Sequence, residues 1–258
     1  MNLGILVSGN LGYTVLKYLY KNYRLQYVLT DSKSEIIIDF CNKNGIATFI
    51  GNPRKGRAFS FCSQRKIDVL ISVNYLFIIE KDLIQLPKIF AFNIHGSLLP
   101  KYRGRTPHVW AIINNEFETG ITAHLIDEGC DTGDVIQQIK IEIGCEDTGA
   151  DILNKFNDNY IELLNIVLTK ASLGKLTFKK QQNDIASFFG KRTPDDGKID
   201  WNWQKERIYN WIRAQANPYP GAFTYHNGDK IIIDKIKYNE IGFTNDMANG
   251  LVISTSPL

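Results

Sequence analysis

The stretch FNIHGSLLPKYRGRTP, residues 92 to 107, brings an amide, an imidazole, a hydroxyl and two guanidinium groups together directly after an apolar run. Connecting loops are polar as a rule, but they seldom crowd groups able both to bind a ligand and to move a proton. Asn93 and His95 are two positions apart. On a strand that spacing points both side chains to the same face of a sheet. Gly96 then lets the backbone turn away. Thr106 followed by Pro107 reads as a helix N-cap and first helical residue, which puts Arg103 and Arg105 beside a helix N-terminus, where anions are favoured. Downstream, DEGCDTGDVI places Asp127, Glu128, Asp131 and Asp134 on a turn, and one of these carboxylates could return to orient His95. An amide, an imidazole and a carboxylate with no covalent nucleophile suit acyl transfer to an amine. The amide donates to the developing oxyanion, the imidazole carries protons, and the carboxylate fixes the imidazole tautomer.

Other chemistries fit the same residues less well. A histidine near a strand end is commonly just a satisfied side chain, and Asp and Gly are ordinary turn residues. DEGCDTGD lacks the EF-hand spacing and its closing Glu, and His108 and His124 stand in no H-x-x-x-H relation to each other or to His95, so no metal is expected. Ser97 has no G-x-S-x-G elbow around it and suits backbone contacts better than nucleophilic attack. Cys130 reads as a small packed thiol, because the carboxylate beside it would raise its pKa.

The elements that must position these groups follow a βαβ rhythm. LGILV, LQYVLT, ATFI, DVLISV and IFAFN are short apolar runs. Between them lie an amphipathic stretch from Thr14 to Asn22, a helix through EIIIDFCNKNG, a helical piece around Ser60 to Lys66 and a short helix near Asp82. This predicts an α/β fold: a Rossmann-like, mostly parallel sheet with helices on both faces and a site at the strand C-termini. Gly9 and Gly12 in SGNLG do not make the dinucleotide fingerprint, and no acidic residue in the right place rescues it. A long helix from Thr148 to about Ala171 closes the first domain, taken as residues 1 to 185. Residues 186 to 258 then read as a helix through ERIYNWIRAQ and a small β-rich C-terminal module. In that module FTYHN and KIIIDKIKY are joined at Asn227-Gly228, and the closing LVISTSPL run has no partner strand after it, so the module reads as incomplete.

With 258 residues and 44% apolar content the chain can bury a sizeable core. The net charge of +3 is too mild for a dedicated nucleic-acid binder but suits small anionic ligands. The four cysteines form no C-x-x-C pair, and there is neither a signal-peptide layout nor a membrane-length apolar run. The expectation is a cytoplasmic protein with no membrane contact.

At Asn93, His95, SLLPKYRG and the DTGD turn the chain resembles the 10-formyltetrahydrofolate-dependent formyltransferases, whose signature is an Asn-x-His pair, an SLLPxxRG loop and an Asp in a DTGD-like turn. The resemblance runs from the first strand to the PYPGAF turn. It implies Asn93, His95 and Asp131 as the catalytic trio and 10-formyltetrahydrofolate as formyl donor, with no metal. It places the folate against Phe77, Ile78 and Ile79, against Ser97, Leu98, Leu99 and Pro100, and against Arg105 and the turn from Asp127 to Asp131. Methionyl-tRNA formyltransferases carry a basic insertion after the second strand, whereas YVLTDSKSEII passes directly from strand to helix. The run from FFGKRTPDDGKIDWNW to PYPGAF is instead similar to the formyltransferases acting on nucleotide-linked amino sugars, especially the bacterial enzyme that formylates a UDP-linked 4-amino-arabinose. The implied acceptor is a UDP- or dTDP-linked amino sugar, with methionyl-tRNA as the alternative. Gly9, Asn10 and Asn74, from neighbouring strand ends, are the candidates to contact it, and a homodimer through the C-terminal module is compatible with the family.

Overall fold

A computed structural model describes residues 1–237 and 247–252. Its first half is built from β1 (Asn2–Val7), α1 (Gly9–Asn22), β2 (Arg24–Thr30), α2 (Glu35–Lys43), β3 (Thr48–Ile50), α3 (Phe59–Ser63), β4 (Val69–Val73), α4 (Lys81–Ile84) and β5 (Phe90–His95). There follow β6 (Arg103–Gly104), α5 (Pro107–Ile113), β7 (Glu118–Leu125), β8 (Val135–Glu142) and α6 (Gly149–Ser172). The remainder comprises β9 (Phe188–Phe189), α7 (Lys205–Ala214), β10 (Ala222–His226) and β11 (Asp229–Ile233). A seven-stranded sheet runs in the order β3-β2-β1-β4-β5-β7-β8. The strands from β1 to β5 are parallel, and β7 and β8 add to them antiparallel. The mostly parallel α/β sheet read from the sequence is therefore present.

Side chains alternate along each strand between two apolar clusters. Leu3, Ile5 and Val7 of β1, Val69, Ile71 and Val73 of β4, and Phe90, Phe92 and Ile94 of β5 join the larger cluster with α1, α2, α5 and α6. Leu6, Leu70 and Ala91 face the other way, into a smaller cluster with Cys62 of α3 and Leu83 of α4. Asn93 and His95 have the parity of Ala91, so they emerge on the face covered only by short helices. That asymmetry leaves a polar site room at the end of β5.

The helices follow local chemistry. Thr148 caps α6 by a reciprocal box, its hydroxyl accepting from the Asp151 N–H at 3.2 Å while the Asp151 carboxylate accepts from the Thr148 N–H at 2.9 Å. Helix α1 starts at Gly9 rather than at Thr14. A Cβ on Gly12 would lie 2.9 Å from Cβ of Val7, so that glycine is what lets the helix lie down on β1. Asp31, directly after β2, occupies the place where dinucleotide folds carry an acid, contrary to the sequence reading. Its oxygens are already engaged by the Lys33 N–H at 2.8 Å and the Ser34 hydroxyl at 2.6 Å.

In the C-terminal region α7 packs against α5 and α6. The β10–β11 hairpin turns through Asn227 and Gly228 at φ 51° and 91°, the two left-handed positions that an Asn-Gly turn provides. Strand β11 stops at Ile233, short of the expected KIIIDKIKY, and Tyr238 at the end of that run lies outside the described residues. Leu251 and Val252 of LVISTSPL are described and are not in a strand, and the rest of that run is outside.

Candidate active site

Asn93 on β5 pairs directly with His124 on β7, and His95 with Thr122. All four side chains share the thinly covered face. Asp131 reaches the same place from the turn after β7: its Oδ2 lies 3.5 Å from Nδ1 of His95 and its Oδ1 3.6 Å from Nε2 of His124. The Gly104 N–H donates to Oδ2 of Asp131 at 2.9 Å. Asn93, His95 and Asp131, expected to meet, are thus brought together, with His124 as a fourth member that the sequence reading passed over. Its position opposite Asn93 and the matching parity of Thr122 and His124 were the signals for it.

Hydrogen-bond directions follow from which partners can only accept. His95 Nε2 is 2.8 Å from the Tyr102 carbonyl, so that nitrogen carries the proton and Nδ1 of the neutral ring turns a lone pair towards Asp131. The tautomer is therefore set by the Tyr102 carbonyl and not by the carboxylate, which corrects the sequence reading. His124 Nδ1 donates to the Leu125 carbonyl at 2.8 Å, which leaves Nε2 to accept from the Asn93 amide at 3.2 Å. One Asn93 N–H is thereby engaged, and the other has no partner among the described residues. Burial lowers the His95 pKa, against the opposing pull of Asp131 and the Tyr102 carbonyl. Burial works against ionisation of Asp131, but the positive charge that His95 and His124 present to it when protonated, together with the Gly104 N–H, outweighs it and holds the carboxyl well below its usual range.

The SLLP loop is clamped onto the sheet. The Thr122 hydroxyl donates to the Ser97 carbonyl at 2.6 Å and accepts from the Leu99 N–H at 3.2 Å. Gln138, opposite Thr122 on β8, donates to the Leu99 carbonyl at 3.0 Å and to the Thr122 hydroxyl at 2.9 Å. Ser97 is fully buried and its hydroxyl donates to the Lys101 carbonyl at 2.7 Å, in keeping with a loop-building residue. Leu99 is buried, while Leu98 and Pro100 are half-buried.

Several expectations change. Gly96 does not have a left-handed backbone, and a Cβ there would come 2.9 Å from the Phe156 ring, so the need is space and not a turn. Thr106 stands at the N-cap of α5 with φ 48°, but its hydroxyl is buried without a partner among the described residues, so the capping bond is missing. Arg103 is not an anion ligand poised at that helix. It is 2% exposed, and its guanidinium donates to the side-chain oxygens of Gln181 and Asn183. Arg105 is exposed, and its charge acts on Cys130. Cys130 is exposed instead of packed, and its thiol pKa is raised by the partial desolvation of the sulfur and then by Asp131.

Around the trio, Phe77, Ile78 and Ile79 follow β4. Ile79 packs into the smaller cluster, Phe77 meets Tyr75 edge-on at 5.5 Å, and Ile78 is exposed. Asp127 accepts from the Gly129 N–H and the Thr132 hydroxyl and so shapes the turn that delivers Asp131. Gly9 and Asn10 lie in the first turn of α1 rather than in a loop. Asn74, at φ 53°, donates to the Ser8 carbonyl at 3.0 Å beside Gly9.

Residues 53–168 match the formyl transferase family, and residues 191–257 match the formyl transferase C-terminal domain. The chain is 39% identical over 198 residues to the bifunctional polymyxin resistance protein ArnA of Wigglesworthia glossinidia brevipalpis, covering 77% of this chain and 30% of that protein. It therefore spans less than a third of the relative's length. A 4-N formyltransferase from Francisella tularensis has the same fold at a TM-score of 0.77, with 20% identity over 92% of this chain and 98% of that one. The N-formyltransferase from Helicobacter canadensis, in complex with folinic acid and dTDP-3-aminofucose, matches at a TM-score of 0.67 and 24% identity, over 82% of this chain and 79% of that one. The two matched segments lie in order along a chain whose sheet brings Asn93, His95 and Asp131 to one point, and the protein belongs to the formyl transferase family.

Proposed function

We propose that this protein transfers the formyl group of 10-formyltetrahydrofolate to the amine of a nucleotide-linked 4-amino sugar, with UDP or dTDP as the nucleotide. The observation that carries the reading is the meeting of Asn93, His95 and Asp131 at the end of β5 without a covalent nucleophile among them. Attack by a neutral amine on the formyl carbon makes a tetrahedral oxyanion, to which the second Asn93 N–H can donate. The amine must lose one proton, and folate N10 must gain one as the carbon–nitrogen bond to it breaks. His95 is built to relay that proton: Nε2 stays bonded to the Tyr102 carbonyl, and protonation of Nδ1 creates an imidazolium facing the ionised Asp131.

The donor is assigned to Phe77, Ile78 and Ile79, the Ser97–Pro100 loop, Arg105 and the Asp127–Asp131 turn, and the acceptor to the side of Gly9, Asn10 and Asn74. Support for the ligands comes from what related proteins hold, folinic acid and dTDP-3-aminofucose in one of them. The four free cysteines accord with a reducing cytoplasm. Incubation with 10-formyltetrahydrofolate and a panel of UDP- and dTDP-linked amino sugars, read by product mass, tests the proposal. The expected result is a formylated 4-amino sugar nucleotide at a rate that changes little between low and physiological salt, because the acceptor has only two phosphates. Formylation of methionyl-tRNA with a steep salt dependence, and of no amino sugar, would overturn it.

A further inference from the structure

The polar run KKQQND between α6 and the C-terminal module looks like a linker in sequence, yet it crosses the active site. Lys179 exchanges two backbone hydrogen bonds with Val135, each 2.8 Å, which seats the run beside β8. Gln181 then turns inward. Its amide nitrogen donates to the Asp131 carbonyl at 2.8 Å and to the Gly133 carbonyl at 2.7 Å. Its oxygen accepts from Nε and Nη2 of Arg103 at 3.1 and 2.7 Å. The orientation is forced, since carbonyls only accept and a guanidinium only donates. All the hydrogen-bonding capacity of one amide is thus used between β6 and the turn that carries Asp131.

We propose that Gln181 is a positioning residue for the catalytic carboxylate, holding the Asp131 turn against the buried Arg103. The inference rests on the formyl-transfer reading of the trio. Asp131 adopts a left-handed backbone at φ 56°, a state a non-glycine residue keeps only where its surroundings impose it. Two contacts do so, and both come from neighbours along one short strand. The Gly104 N–H holds the carboxylate, and Arg103, through Gln181, holds the carbonyl. Gly104 can serve because it lacks a side chain: at φ 103°, a Cβ would fall 2.2 Å from the Phe189 carbonyl oxygen. Release of the Asp131 carbonyl lets the turn relax and draws the carboxylate away from His95 and His124.

A rival role for Gln181 is to anchor the crossing segment to Arg103 and nothing more. Gln181→Glu separates the two, because a carboxylate keeps and strengthens the bond to Arg103 but offers no donor to the two carbonyls. Gln181→Leu removes both. We expect Gln181→Glu to lower kcat roughly 10- to 100-fold, as outer contacts that place a reacting group do, with a smaller rise in donor KM because the relaxed turn is also the one assigned to the donor. Histidine ring NMR supplies a readout that needs no substrate. Of the four histidines, His95 and His124, which face Asp131, should change ring chemical shift in Gln181→Glu, while the exposed His226 should not. Wild-type kcat with unmoved His95 and His124 ring shifts in this variant would overturn the inference, whatever Gln181→Leu does. If the wild-type protein formylates no amino sugar, the functional reading falls, and the ring shifts still decide whether Gln181 positions Asp131.

Discussion

Asn93 offers two N–H groups, and one is committed to Nε2 of His124, so the amide cannot turn its oxygen to the reacting carbonyl without losing that bond. Its remaining donor is where an oxyanion would need it. Asn93→Ala should lower kcat roughly 100- to 1,000-fold as a lost oxyanion donor, and His95→Ala roughly 100- to 10,000-fold as a lost proton carrier. Asn93→Asp should be no better than the alanine variant, because a carboxylate donates nothing and repels the oxyanion. Single-turnover rates with saturating donor check all three, and near wild-type turnover by His95→Ala would remove the mechanism. Donor affinity should change less than rate in each, since these groups act on charge that develops during reaction.

Among the elements, β7 does the most for the site. Its inward face carries Thr122 and His124, one for the SLLP loop and one for Asn93, while Ile121 and Ala123 build the core behind them. Thr122→Val preserves shape but leaves the Ser97 carbonyl and the Leu99 N–H without their hydroxyl partner. A loss of about 1–3 kcal/mol is expected from unpaired buried polar groups. Urea unfolding measures that loss, and a folate analogue should bind more weakly as the loop loosens. A stability equal to wild type would show that the loop is held by Gln138 alone. The α6 cap is a contrasting case: Thr148→Ala should lower stability by about 1 kcal/mol and leave formyl transfer unchanged, because the Thr148 hydroxyl bonds to Asp151 within its own cap.

The molecule as a whole should be acid-sensitive in a defined window. His108 is buried against Phe156 and bonded to the Tyr219 hydroxyl at 2.5 Å, which ties α5 to the turn before β10. Burial, reinforced by His95, lowers its pKa from 6.5 to about 4. The unfolded chain takes up a proton near pH 6.5 that the folded one refuses, so this stability is complete above that pH and is lost as pH falls towards about 4. His95, also lowered, acts in the same direction. Asp131 adds a loss only below the ordinary carboxylate pKa of about 3.9, because its folded form stays ionised. Each histidine can contribute up to about 1.4 kcal/mol per pH unit within its window. Urea midpoints from pH 7 to 4 should therefore fall, and less steeply in His108→Gln. An equal slope in that variant would assign the acid sensitivity elsewhere.

Strand and helix order was legible because apolar runs, the Thr148 capping box and the Asn227-Gly228 turn are local signals that act within a few residues. The same holds for Asn93 and His95, whose shared face follows from the period of a strand. The partnership of Asn93 with His124, the Thr122 clamp and the Gln181 contact to Asp131 each join residues far apart in the chain. Strand register selects the first two, and the passage of residues 179 to 183 beside edge strand β8 selects the third. Arg103 illustrates the difference: its type and place beside a helix start suggested an anion site, but burial against Gln181 and Asn183 used its donors. A side chain's chemistry is written in its type. Which partners satisfy it depends on what folding brings within about 3 Å, and no local pattern encodes that distance.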